Sequence, residues 1–297
     1  MSAAQAPGEP DWDALGQILA QGYIATGFAG GVTRIPVETV VADMLSPSRA
    51  DEQIAEMRRT GDLAGKRILE VGSGTGLVVA RGRVAHGLDI WGIEPSSAEY
   101  SSIFAVSRAL LAHYGLPDEL ILDAAGEENP YPDASFDLVY SSNVLEHVRD
   151  PQAVLSESLR VLKPGGHLLF VVPNYGSWWE GHYGLPWLPH MTPGMAKLYV
   201  RALGRDPAYI DTLNLVSHRK IEAWLRPHRD EIEILGWGWD VFERRLRTLE
   251  FSEWASLRSV KRIARLIHRV GALDLVLWAA RHLRWETPIV LHLRKRN

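Results

Sequence analysis

The ten residues from Arg67 to Gly76 restrict this chain more than any other stretch of it. Ile68, Leu69 and Val71 form a short apolar run rich in β-branched residues, the pattern of a strand buried on both faces of a parallel sheet. Gly72, Gly74 and Gly76 end that run at alternate positions, and Leu77 to Ala80 behind them read as the first turns of a helix. A buried strand, a glycine turn and a helix N-terminus in that order make a nucleotide-cofactor site, because glycines let the backbone come close to a ligand.

Spacing narrows the choice of cofactor. The dinucleotide fingerprint needs glycine where Leu77 stands, and the Gly-Lys-Ser/Thr of a P-loop is absent. A second apolar run, Leu88 to Ile93, ends in Glu94, where an acid can accept both ribose hydroxyls of a nucleoside. With these residues the chain resembles the class I S-adenosylmethionine-dependent methyltransferases. Leu69 to Gly76 is similar to their first motif, Gly92 to Ser96 to their second, and Ala124 to Val139 to their third and fourth. Lys163 to Gly166 followed by the strand-like His167 to Val172 is typical of them too. The resemblance covers residues 66–174. It implies S-adenosyl-L-methionine as cofactor, held by Glu70, Gly72, Ser73, Gly74, Thr75, Gly76, Glu94, Pro95, Ala125, Gly126, Ser141 and Asn143. The chain departs from the family at the position of the usual adenine-side aspartate, which holds Ala125 with Asp123 and Glu127 two residues to either side. Adenine is then held by backbone or by a shifted acid.

The implied fold is α/β: a Rossmann-like methyltransferase fold whose mixed, mostly parallel sheet has helices on both faces, with helical cap and lid insertions. The chain divides into an N-terminal helical cap (1–64), a cofactor-binding core (65–173), a substrate lid (174–228) and a C-terminal completion of the sheet carrying a basic helical insertion (229–297). The cap shows three helical patterns and a glycine-rich break at 27–31; it either covers the cofactor or packs a sheet edge. In the core, Leu120 to Leu122 and Asp137 to Tyr140 read as the third and fourth strands. A helix is expected from Val144, continued by Val154, Leu155, Leu159 and Leu162. Glu231 to Leu235 with Trp237 to Phe242 reads as a sixth strand and Pro288 to Leu293 as the last, and the resemblance makes this closing pair antiparallel. The chain has 297 residues, no cysteine and a net charge of −4, which fits one large domain without disulfides in a reducing compartment. It has neither a secretory signal nor an apolar run of bilayer length, so a cytoplasmic location is expected.

Two stretches lie outside the family pattern. Residues 173–190 gather Tyr175, Trp178, Trp179, Tyr183 and Trp187 with His182 and His190 between glycines and prolines, directly after strand five. They read either as a lid stacking on the substrate or as a satellite core under a long loop. Residues 258–297 carry ten Lys/Arg against two acids, net +8, so the remainder carries −12. Val260, Ile263, Ala264 and Ile267 are expected on one helix face and Arg258, Lys261, Arg262, Arg265 and Arg269 on the other. That face is either simply solvated or in peripheral contact with an anionic membrane or a phosphorylated carrier; no nucleic-acid motif is present.

The expected activity is methyl transfer. The lid segment and the closing strand Pro288 to Lys295 resemble those of methyltransferases of cell-surface glycan or glycolipid synthesis, which implies a sugar hydroxyl as acceptor. A phenolic or polyketide-like natural product is the alternative, and a non-catalytic S-adenosylmethionine-binding protein the second. A hydroxyl acceptor loses a proton, and histidine is the side chain best suited to take it at neutral pH. His182, with Glu180 two residues away to orient it, ranks first and His147 second; His190 lies in the lid, and His218 is assigned to the surface. No metal is expected. In ubiquinone-type O-methyltransferases a Glu-x-x-Glu-His segment is associated with a divalent metal, and the corresponding residues are Asn143, Glu146 and His147, with one charge fewer.

Overall fold

The computed structural model describes residues 8–26, 32–97, 100–249 and 258–297, and of 258–260 the backbone alone. The glycine-rich break at 27–31 and the side chains of Arg258 and Val260 therefore lie outside the described residues. The central sheet has the order β3-β2-β1-β4-β5-β9-β8. Its strands are β1 (Arg67–Val71), β2 (Asp89–Glu94), β3 (Ile121–Asp123), β4 (Phe136–Ser142), β5 (Leu162–Val172), β8 (Ile232–Gly236) and β9 (Ile289–Lys295). β1 to β5 run parallel, and β9 is antiparallel to both neighbours, so the sheet is mixed as expected. The order reverses between β1 and β4, and in open sheets of this kind ligands bind at the strand carboxyl ends beside that reversal.

The two-residue strand period divides the core into two layers. Ile68, Leu138, Tyr140 and Leu169 point to one face, where they meet α1 (Trp12–Ala25), α3 (Pro47–Met57), α4 (Leu77–Val84) and α5 (Ser101–His113). Leu69, Val139, Leu168 and Phe170 point to the other, against α6 (Pro151–Val161), α7 (Pro193–Ala202) and α8 (His218–Leu225). Each such fully buried aliphatic side chain stabilises the fold by about 1.5–3 kcal/mol relative to exposure. The short α2 (Val37–Met44) packs on α1, whose start is capped by Asp11 accepting from the Ala14 N–H at 3.0 Å.

Several expectations are corrected. Residues Val144 to Asp150 form turns, and α6 starts only at Pro151. There the Asp150 carboxylate caps the N–H groups of Gln152 and Ala153, and proline at the first helical position starts the helix with its φ already set. The sixth strand stops at Gly236. Residues Trp239–Thr248 are a helix, α9, because Trp239, Phe242 and Leu246 recur at helical spacing after the Gly238 turn. α10 (Arg258–Arg269) and α11 (Leu273–Leu283) follow as a hairpin resting on α9. Ile263 is exposed there, and Ala264 is the residue that faces inward. No helix among the described residues is long and apolar enough to cross a membrane.

Candidate functional site

The loop from Gly72 to Gly76 sits at the carboxyl end of β1, but its N–H groups do not fan toward a ligand. Those of Gly72 and Ser73 donate to the Ile93 carbonyl at 2.9 and 3.0 Å, that of Gly76 to Ser73 O at 2.9 Å, and that of Gly74 to Glu94 Oε2 at 2.9 Å. The loop is thus tied to the end of β2 and contributes shape more than donors. Gly72 has φ +71°, and a Cβ there would come within 2.3 Å of Val144 Cγ2, so only glycine lets the loop nest against the turn after β4. A Cβ on Gly74 would meet nothing within 4 Å, so this position fronts open space.

Glu94 and Glu70 end adjacent strands and are both buried. Burial pushes the Glu94 carboxyl up to about 7, against the Gly74 N–H that favours its ionised form. Burial and the charge of Glu94 push Glu70 well above the usual carboxylate range, and Glu70 Oε2 has no hydrogen-bond partner. Tyr23 of α1 faces the same space: burial, then the charge of Glu94, raises its hydroxyl to about 12. An unpartnered carboxylate oxygen, a buried acid at a strand end and room in front of Gly74 fit a ligand that brings hydroxyl donors.

At the opposite wall the two histidines singled out in the sequence do meet. His182 Nε2 lies 3.2 Å from His147 Nε2, and the rings cross at 87°. His182 follows the small hairpin strand β6 (Trp179–Glu180), which pairs with β7 (Leu185–Pro186). Glu180 Oε1 accepts from His182 Nδ1 at 2.7 Å and from the Tyr175 hydroxyl at 3.2 Å; Oε2 accepts the Tyr183 N–H at 2.6 Å. With Nδ1 held by Glu180, the His182 Nε2 lone pair is turned to His147. Burial penalises the His182 cation, but the carboxylates of Glu180 and Glu146 outweigh it and raise its pKa. Desolvation, helped by the charge of His182, pushes His147 down to about 3. Burial lifts Glu146 to about 7, and both its oxygens lack hydrogen-bond partners. One proton shared by the two Nε2 atoms would therefore be balanced by two buried carboxylates.

The donor atoms of Glu146, His147 and His182 all lie within 4.8 Å of one another, a set that could hold a cation. Asn143 is not part of it: it is exposed, at φ +55°, with its amide turned to Ser142 Oγ. Ser141, expected at the cofactor, uses its hydroxyl on Val71 O at 2.9 Å. Asp123 is bonded to Ser96, and Glu127 accepts from the Arg149 and Asp150 N–H groups, so both acids near Ala125 and Gly126 are engaged elsewhere. His190 is exposed and lies against Gly176. His218 is buried 2.9 Å from Glu286, not on the surface.

Tyr209 is the member that local sequence pattern could not supply. Its ring lies 5.6 Å from His182 and 6.3 Å from His147. Burial, followed by the charges of Glu180, Glu146, Tyr100 and Tyr23, raises its hydroxyl above the normal tyrosine range. The loop and the histidine pair are linked through the turn after β4: the Val144 side chain lies against Gly72, and the His147 N–H donates to the Val144 carbonyl at 2.8 Å. The aromatics of the expected lid mostly do not face it: Tyr175, Tyr183 and Trp187 belong to the main core, and Trp179 is buried. The root of this segment is tied to the chain that leaves α11. Asn174 Nδ2 donates to the carbonyls of Arg284 and Glu286 at 2.9 and 2.8 Å, and Ser177 Oγ to that of Trp285 at 2.6 Å.

Residues 69–170, which include the glycine loop, Glu94, Glu146 and His147, match the family of the methyltransferase domain. This part of the chain is a methyltransferase domain. Its type is class I and its cofactor S-adenosyl-L-methionine, as the motifs and the sheet order agree. The chain is 29% identical over 140 residues to the ubiquinone biosynthesis O-methyltransferase of Photorhabdus laumondii, covering 46% of this chain and 56% of that protein. With the enzyme of the same name from Vibrio atlanticus, identity is 33% over 122 residues, 40% of this chain and 48% of that one. The chain thus spans about half the length of the curated relatives it matches. A solved methyltransferase of Thermotoga maritima, described as a possible histamine N-methyltransferase, superposes with TM-score 0.45 and 17% identity over 74% of this chain and 84% of its own. Residues of the chain that would hold the cofactor are the loop from Gly72 to Gly76, Glu94 with Pro95, and the backbone at Ala125 and Gly126.

Proposed function

We propose that this chain transfers a methyl group from S-adenosyl-L-methionine to a hydroxyl oxygen of a saccharide, on a glycan, glycolipid or related acceptor. The observation that carries the reading is the Glu180–His182–His147 relay, whose His147 belongs to the turn that packs against Gly72 of the glycine loop. When bound, the cofactor supplies an electrophilic methyl group on its sulfonium. Glu94 would accept its ribose hydroxyls, and the glycine loop would leave room for the rest. The histidine pair would take the hydroxyl proton as the C–O bond forms and the methyl–sulfur bond breaks, which leaves the cofactor as a neutral thioether, and Glu180 and Glu146 would stabilise the resulting imidazolium. Positioning supplies a large part of such a reaction and the proton acceptor a further factor of about 10² or more.

Oxygen as the acceptor atom is supported by the relatives, whose names describe O-methyltransferases. A polar acceptor is supported by the wall of Glu146, His147, His182 and Tyr209. A flat phenolic ring remains the second reading, on the strength of Tyr209 and the half-buried Trp178. Incubation of the protein with cofactor labelled in the methyl group and a fractionated extract tests the proposal. Label in saccharide or glycolipid fractions supports it, label in small aromatics selects the second reading, and cofactor binding with no transfer would leave a sensor.

A further inference from the structure

The hairpin of α10 and α11 carries a surface that methyl transfer does not need. Its inner side is accounted for, because Ala264, Leu277 and Ala280 are buried with Phe242 and Leu246 of α9. Its outer side is not polar, as the outer face of a helix usually is. On α10, Ile263, Leu266 and Val270 are exposed at i, i+3 and i+7, which makes an apolar row along the helix. One residue before each stands an arginine, Arg262, Arg265 and Arg269, also exposed, which makes a parallel cationic row. On α11, Leu275 and Trp278 are exposed as well, with 67% and 60% of their area in solvent, and so is Leu283.

We propose that this outer face docks on an anionic lipid surface. Charge and shape choose the occupant together. The three arginines of α10 are exposed, form no ion pair among the described residues, and lie in the stretch of net +8 within a chain of net −4. Apolar side chains beside a cationic row are what an interfacial helix presents, with aliphatic groups entering between lipids and arginines meeting headgroups. Trp278 is of the residue type that settles at such an interface. A second copy of this face would oppose arginine to arginine, and a nucleic acid would leave the exposed aliphatic row in water. The inference does not depend on the acceptor of the methyl group.

Sedimentation of the full chain with vesicles tests it, using phosphatidylcholine alone or phosphatidylcholine with one third phosphatidylglycerol. Binding to the mixed vesicles, at least tenfold weaker to the neutral ones and falling as salt is raised from 0.1 to 0.5 M, is the expected result. Arg262→Gln, Arg265→Gln and Arg269→Gln together should weaken binding tenfold or more, and Leu266→Glu with Leu275→Glu should abolish it. These side chains are exposed, so both variants should keep the wild-type circular dichroism and melting temperature, which confirms folding independently. No binding to either vesicle, equal binding to both, or unchanged binding by the arginine variant would overturn the proposal. So would a concentration-dependent dimer in analytical ultracentrifugation that Leu266→Glu dissolves.

Discussion

Glu94→Gln separates the charge of the cofactor acid from its volume. Glu94 is almost completely buried, and one of its oxygens already accepts the Gly74 N–H at 2.9 Å. The carboxamide of glutamine can keep that contact with its oxygen, but its NH2 group then faces the ribose, where hydroxyl donors meet a donor. One hydrogen bond to a charged acceptor is lost, worth about 1.5–3 kcal/mol, so the dissociation constant for S-adenosylhomocysteine should rise about 10- to 150-fold. The sign of the pH effect follows from the raised pKa. In the ligand-free protein the carboxyl is pushed up to about 7, and the ligand's hydroxyls favour the ionised form. Below pH 7 the site must lose a proton in order to bind, so wild-type affinity should fall by up to about tenfold per pH unit, and above pH 7 it should level off. The glutamine variant, without the Glu94 carboxyl, should depend on pH less steeply than wild type between pH 5.5 and 8. Isothermal titration across that range in two buffers of different ionisation heat reads affinity and proton release together. Wild-type affinity that does not change with pH, or a variant that binds as tightly as wild type at pH 7.5, would refute the assignment of Glu94.

Three further outcomes are expected. His182→Ala should lower turnover with saturating substrate by about 10²-fold while cofactor affinity is preserved, and Glu180→Gln should lower it by less; unchanged turnover in His182→Ala would remove His182 as the proton acceptor. Gly72→Ala places a methyl group 2.3 Å from Val144 Cγ2 at a positive φ, and thermal unfolding should show a loss of about 1–3 kcal/mol. Turnover should survive prolonged chelation, whereas loss on chelation with recovery on adding a divalent ion would make Glu146, His147 and His182 a metal centre.

The features legible in the sequence are those that local pattern determines. The apolar run of β1, the three glycines and Glu94 stand within 28 residues, and each is dictated by the strand, the turn or the ligand next to it. The histidine pair was half legible. His147 and His182 each follow a strand, β4 and β6, but their meeting depends on the way 174–190 folds back, with the Trp187 N–H on Trp178 O and the His190 N–H on Tyr175 O. Tyr209 gave no local signal, since only tertiary packing brings it to the histidines. The errors have physical causes of the same kind. The apolar run from Trp237 to Phe242 reads as strand, but Phe242 and Leu246 complete a helical face that α10 and α11 cover. In α10 two apolar rows are present, and no sequence rule says which one α9 will bury; the smaller side chain, Ala264, went inward. His218 reads as a surface residue because its carboxylate partner, Glu286, is distant in sequence.

The grip of Asn174 and Ser177 on the carbonyls of residues 284–286 gives the molecule a short mechanical train. Behind those carbonyls lies the end of α11, and ahead of Ser177 the chain runs within five residues to His182. A force applied to the hairpin is delivered through these bonds to the root of the segment that leads to His182. Tilting α11 by an ångström must either stretch these three hydrogen bonds or carry the root of the segment with it. The end of α11 and the segment that leads to His182 are therefore held to one another by three hydrogen bonds, and a displacement of either one loads the other.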